Sequence, residues 1–230
     1  MRAIVSILFK IYFYQIIRGR YISDSNPLLG RFSNRNLKAI YLTISNFKGE
    51  LLSKNNLSKH KTQGNKLMVY CGILSLATYR GLRLTGLSHQ YATLLVSDIV
   101  WKLYILGSKI LWTFAGLLSR DPQKRLNILL KWLCKYPFNQ DPNGYQYDVQ
   151  VRPDHLEMNF SQCAVHQLML NTATAEEMDF FSKSWCLYDF SLPAYLIEGG
   201  YYEREHTLSH GDQLCDMKWY EKSPVPREKV

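Results

Sequence analysis

The chain has 230 residues, of which 47% are hydrophobic, 13% aromatic and 20% charged, a globular composition that excludes a disordered chain. Eight Pro and 13 Gly exclude a collagen-like or linker-rich protein. The formal charge of +9 is split unevenly: Tyr145 onward holds 7 basic and 14 acidic residues, which leaves 21 basic and 5 acidic, a net +16, in residues 1–144.

Helices are predicted throughout the first half. Residues 3–18 form one, ended by Arg18-Gly-Arg20. Asn26-Pro27 and Gly30 mark a turn. Asn34 is placed to cap a helix from Arg35 to about Lys54, with Leu37, Ile40, Tyr41, Ile44, Phe47 and Leu51 at helical spacing. Asn55 to Asn65 is polar and basic and reads as a loop. A third helix spans about Lys66 to Leu84 and a fourth Ser88 to Leu118. The fifth starts sharply, with Asp121 at the cap and Pro122 at the first helical position, and runs to Lys135. Pro137, Pro142 and Gly144 then break the chain.

The period changes in the second half. Tyr145, Tyr147, Val149 and Val151 alternate with polar residues. Pro153-Asp154 turns the chain, and Leu156, Met158 and Phe160 alternate again, which predicts a hairpin. A short helix follows over Ala164 to Leu170. Thr174 with Glu177 has the capping-box spacing, so a helix is expected from Ala175 to Phe190. Gly199-Gly200 opens a strand over Tyr201 to Leu208, His210-Gly211-Asp212 is a tight turn, and Gln213 to Tyr220 returns. The fold class is α+β: a helical, basic N-terminal layer (1–140) packed with an antiparallel-sheet-plus-helices unit (141–222), then a frayed tail (223–230).

Five cysteines, an odd number at wide spacings without Cys-x-x-Cys, do not make a secreted disulfide framework and point to reduced thiols in a cytoplasm. The apolar run 3–17 is interrupted by Lys10 and lacks a small-residue cleavage site, so it is not read as a signal peptide. It and the run 99–118, broken by Lys102 and Lys109, read as amphipathic helices, buried or lying on a membrane surface. The basic half suits docking on the acidic half, a peripheral membrane contact or an acidic partner. No nucleic-acid motif accompanies it, so no nucleic acid is expected.

The residues with chemistry cluster late. Cys186 and Asp189, three apart on a predicted helix, share a face. A neighbouring carboxylate raises a thiol's pKa, so a reactive cysteine needs a cation, and Arg204 is the candidate. Tyr202, Arg204 and His206 point to one side of the predicted strand. Plainer roles stay open: buried structural cysteines, a structural Asp189, a weak surface ion pair at Arg204 flanked by Glu203 and Glu205. A zinc site from Cys163, Cys186, Cys215 and a histidine is chemically permitted, although no local chelating pair announces it. There is no glycine-rich phosphate loop, nucleophile elbow or His-Glu-x-x-His.

The run Ser184-Trp-Cys-Leu-Tyr-Asp189, then Arg204 with Thr207, Leu208 and Gly211, then Cys215-Asp216, resembles the L-2-amino-thiazoline-4-carboxylic acid hydrolase family. That family's pattern is Cys-x-x-Asp, Arg-x-x-Thr-Leu/Ile-x-x-Gly, Cys-Asp. Cys163-Ala-Val165 matches an upstream Cys before a short helix. Tyr14-Gln-x-x-Arg-Gly-Arg-Tyr21, Leu29-Gly-Arg-Phe32, Ser97-Asp-Ile-x-Trp-Lys102 and Arg120-Asp-Pro122 are similar to cyanobacterial-type members, so the resemblance spans nearly the whole chain. Gln162 and Met217 depart from the Arg and the aromatic residue usual at those positions. The resemblance implies hydrolytic ring opening of 2-amino-thiazoline-4-carboxylate to N-carbamoyl-L-cysteine, on a small-molecule substrate and without a cofactor or metal. It gives Cys186 the nucleophile role, Asp189 the role of base or amidinium partner, and Arg204 the substrate carboxylate. Thr207, Cys163, Cys215 and Asp216 would line or support the pocket. A non-catalytic small-molecule or metal-binding module of the same fold is the alternative.

Overall fold

The computed structural model describes residues 1–224. Six of its helices begin on a side chain that accepts a backbone N–H of the first turn, which satisfies a donor the helix itself leaves unpaired. After α1 (Arg2–Ile17), Ser33 caps α2 (Asn34–Lys54) and Thr62 caps α3 (Gln63–Arg83). Ser88 caps α4 (His89–Leu118) and Asp121 caps α5 (Pro122–Lys135). Cys163 caps α6 (Ala164–Thr172) and Thr174 caps α7 (Ala175–Ser184). Two expected starts move by a few residues for this reason. Ser33, not Asn34, forms a capping box with Asn36, and Thr62 starts α3 inside the stretch read as loop.

α3 is the central helix. It is apolar on nearly every side, burying residues from Val69 to Leu82, as a helix packed all round must be. It touches α1, α2, α4 and α6. The strands β1 (Gln146–Val151), β2 (His155–Gln162), β3 (Tyr201–Glu203) and β4 (Cys215–Tyr220) form one antiparallel sheet in the order β1-β2-β4-β3. Met158 pairs with both Val149 and Met217, and Phe160 with Cys215. Leu156, Met158, Phe160, Cys215, Met217 and Trp219 face inward, alternating with more exposed residues as the pleat requires. α5 lies against this face, where the Cys134 thiol meets the Met158 sulfur at 3.9 Å. The α+β class and the hairpin are therefore as expected. A single apolar cluster runs from Phe9 to Trp219 across both sequence halves.

The basic layer docks on the acidic half through α7. Arg80 grips Glu177 with two bonds of 2.6 and 2.9 Å, Arg83 reaches Glu176 at 3.1 Å, and His89 meets Asp179 at 2.6 Å. No helix of the described residues is long and apolar enough to cross a membrane. α1 buries Phe9, Phe13 and Ile17 and leaves Ile4, Ile7 and Ile11 exposed. Of the expected tail, residues 225–230 lie outside the described residues.

Two elements differ from expectation, and both shape the site. The helix expected over 175–190 stops at Ser184, whose fully buried hydroxyl donates to the Phe180 carbonyl at 2.7 Å, a back-bond that bends helices. A 3-10 turn (Trp185–Leu187) follows, and then α8 (Tyr188–Leu196). The strand expected over 201–208 stops at Glu203. Asp216 accepts the Glu205 and His206 N–H groups and Asp212 accepts that of Thr207. Carboxylates thus take donors that a longer ladder would use. Leu208–His210 forms another 3-10 turn, closed by Gly211 at φ 95°, a backbone conformation that favours glycine. Gly200 lets β3 lie against α8, since a Cβ there would collide with the Pro193 carbonyl.

Candidate functional site

The 3-10 turn places Cys186, the first turn of α8 places Asp189, and the carboxylate-pinned segment after β3 places Arg204. Cys186 and Asp189 therefore do not share a regular helix, and Tyr202, Arg204 and His206 do not share a strand face. Tyr202 is buried, Arg204 half-buried and His206 exposed. Arg204 nevertheless comes back to the turn: its Nη2 donates to the Cys186 carbonyl at 2.9 Å, and its guanidinium lies 5.1 Å from the Phe190 ring and 5.9 Å from that of Tyr202.

Asp189 accepts the Tyr104 hydroxyl at 3.0 Å, a partner 85 residues away on α4. Burial pushes its carboxyl up to about 6, against the pull of Arg204 and of the Tyr104 hydrogen bond. The Arg204 charge, disfavoured by burial, is held above its ordinary pKa by Tyr202, Asp189 and Cys186. Yet no carboxylate of the described residues lies within salt-bridge distance of Arg204. The Asp189 carboxyl and the Arg204 guanidinium, both on half-buried residues, influence each other without touching. Beside them the Tyr202 hydroxyl is buried and has no hydrogen-bond partner, an arrangement that costs free energy unless something polar reaches it.

The thiols surround this pair. Burial pushes Cys186 up to about 12, with Ser209 and Arg204 pulling the other way. Burial likewise pushes Cys163 up to about 11, opposed by the N–H of His166, which its sulfur accepts at 3.5 Å at the start of α6. Both residues keep part of their surface open, whereas Cys215 is buried. The Cys215 sulfur accepts the Leu208 N–H at 3.3 Å and lies 3.4 Å from the Thr207 hydroxyl. Cys163 and Cys215 are close enough to Cys186, and Cys215 to Cys163, that their charges would oppose ionisation of those two thiols.

Asp216 faces the other way. Its neighbour Cys215 points into the core, so the Asp216 carboxylate comes out on the opposite face, where it binds His206 Nδ1 at 2.8 Å besides the two backbone N–H groups. It positions the segment carrying Arg204 and does not line the site. Among the described residues, Glu205, His206 and Asp216 are the one group of three or more His, Cys, Asp or Glu whose ligand atoms lie within 4.8 Å of one another. The three thiols and a histidine do not assemble into a zinc site of that kind.

No family model, curated protein or solved structure matches this chain. The site is therefore judged on its geometry. Cys186, Asp189, Arg204, Cys163 and Cys215 come together, and Thr207 supports Cys215. Sequence reasoning missed Tyr104, which stands in an apolar helix with nothing polar beside it to flag it. It also missed Tyr202 as a site residue: its alternation with Arg204 was visible, but an unpartnered hydroxyl is a property of three dimensions.

Proposed function

We propose that this site hydrolyses a small, anionic, cyclic amidine, with 2-amino-thiazoline-4-carboxylate as the substrate that the family resemblance implies. The observation that carries the reading is that Asp189 and Arg204 influence each other without forming an ion pair, beside the orphaned Tyr202 hydroxyl. In this reading a substrate carboxylate pairs with Arg204, and the amidine nitrogens meet Asp189. With a pKa near 6, Asp189 is ionised at neutral pH and matched to general-base work. Water adds to the amidine carbon as Asp189 takes its proton. Asp189 passes that proton to the ring nitrogen, the carbon–sulfur bond breaks, and the departing sulfur takes the proton of the added hydroxyl, which gives N-carbamoyl-L-cysteine. Cys186, held as a thiol, is the weaker agent of attack, so this reading moves the main role from Cys186 to Asp189.

The test is product mass after incubation with 2-amino-thiazoline-4-carboxylate. Asp189→Asn should lose at least about a hundredfold in kcat, the usual worth of a general base. Cys186→Ser should stay within about tenfold, because the thiol is not the base. Loss of turnover in Cys186→Ser with activity kept in Asp189→Asn would return the nucleophile role to the thiol. The alternative, a binding module without turnover, is favoured by the burial that raises the pKa of Cys163 and Cys186. It predicts that calorimetry shows binding of the carboxylate while no product forms.

A further inference from the structure

The C-terminal half of α4 carries a feature that the hydrolytic site does not use. Ile110, Phe114, Leu117 and Leu118 are 50%, 55%, 78% and 67% exposed. They recur at i, i+4, i+7 and i+8, so they form one apolar stripe on the side of α4 opposite the buried Ser108 and Ala115. A groove of about 460 Å³ opens beside its end, lined by Leu118, Ser119, Lys124, Asn127, Ile128 and Lys131. Lys124, Lys131 and Lys135 follow at i, i+7 and i+11 along the exposed face of α5. Arg120 is exposed at the tip between the two helices. None of these four cations has an ion-pair partner among the described residues, and no acidic residue lines the groove.

We infer that the tip of the α4–α5 hairpin is a docking surface for an anionic lipid bilayer, with the apolar stripe entering the interface and the lysines at the headgroup phosphates. An apolar stripe flanked by an unpaired basic stripe is the pattern of interfacial helices. The charge of the half that carries it, 21 basic residues against 5 acidic, suits an anionic leaflet. A second copy fits poorly: a two-fold contact through this patch sets the basic stripe near its own copy, and interface cores are depleted in lysine. Nucleic acid would leave the stripe unburied. The surface is also preformed. Arg125 stacks 3.9 Å from the Trp112 ring and donates to the Trp112 carbonyl at 2.9 Å, which locks α5 onto α4, so little ordering is needed on docking.

The experiment is flotation of the full chain with phosphatidylcholine vesicles, with and without phosphatidylglycerol, alongside sedimentation velocity of the free protein. The expected result is binding to the anionic vesicles only, weakened by salt. Lys124→Gln with Lys131→Gln should weaken it by roughly 25-fold, about fivefold per lysine. Phe114→Glu with Leu117→Glu should weaken it at least tenfold. All four side chains are exposed, so both variants should keep the wild-type circular dichroism. Absence of binding to anionic vesicles, equal binding to neutral ones, or a wild-type dimer that Phe114→Glu with Leu117→Glu makes monomeric would each overturn the inference.

Discussion

Replacing Asp189 by Asn should stabilise the protein while it disables the site. The carboxyl has an ordinary pKa of 3.8 and is pushed to about 6 in the fold, chiefly by burial. The difference is roughly two pH units at about 1.4 kcal/mol each, so keeping Asp189 ionised in the folded state costs about 3 kcal/mol. The direction follows from which state holds the proton. Below 3.8 the group is protonated in both states and there is no penalty. Between 3.8 and about 6 the unfolded chain releases the proton first, so stability falls as pH rises, and above 6 the full cost is present. The amide introduced by Asp189→Asn would keep the acceptor for Tyr104 without the charge. Wild type and Asp189→Asn should therefore unfold alike in acid and diverge through this window. Above it the variant should be more stable by about 3 kcal/mol, or roughly 6–12 °C in Tm for a chain of this length. Thermal unfolding of both proteins across this pH range measures it. A difference that does not vary with pH, or a variant less stable than wild type at neutral pH, would refute the account of Asp189.

Arg204 pulls the Asp189 pKa down, so Arg204→Gln should raise the midpoint of that stability slope by about one pH unit. An unmoved midpoint would mean the guanidinium and carboxyl are not coupled. Arg80→Ala leaves Glu177, whose side chain is only 9% exposed, without its bidentate partner and should cost about 3–5 kcal/mol in urea denaturation. A cost below about 1 kcal/mol would show that the pair is effectively solvated. Burial lowers the His60 pKa below its ordinary 6.5, and both ring nitrogens lack partners. Its contribution to stability is present above 6.5 and lost as pH falls towards the folded value. His60→Leu should flatten the acid side of the stability profile relative to wild type, and an unchanged slope would exclude the residue as its source.

Structure was legible in the sequence wherever its causes are local. Asp121-Pro122, Thr174 with Glu177, and the alternation from Tyr145 to Phe160 each fix a start or a face through neighbours a few residues away. The C-terminal motifs likewise pointed to Cys186, Asp189 and Arg204 as companions. What escaped was set by tertiary contacts. The helix break at Ser184 comes from a hydroxyl with no room to turn outward. The short β3 comes from carboxylates on β4 and in the turn before it that claim the amides of residues 205 to 207. Asp189 owes its hydrogen bond to Tyr104, and no spacing rule reaches across 85 residues. Cys186 and Asp189 do not lie on one helix as their spacing suggests, yet the turn returns both to the same neighbourhood.

The shortness of β3 has a consequence for how molecules of this protein meet. β3 is an outer strand of the sheet, and an outer strand normally offers a free row of amides to any passing chain. Here the row is only three residues long, because Asp216 and Asp212 take the amides of residues 205 to 207 and end the strand. The same carboxylates that aim a guanidinium therefore also keep this border of the sheet short, so a substitution at Asp216 would free the strand to lengthen as well as misplace Arg204.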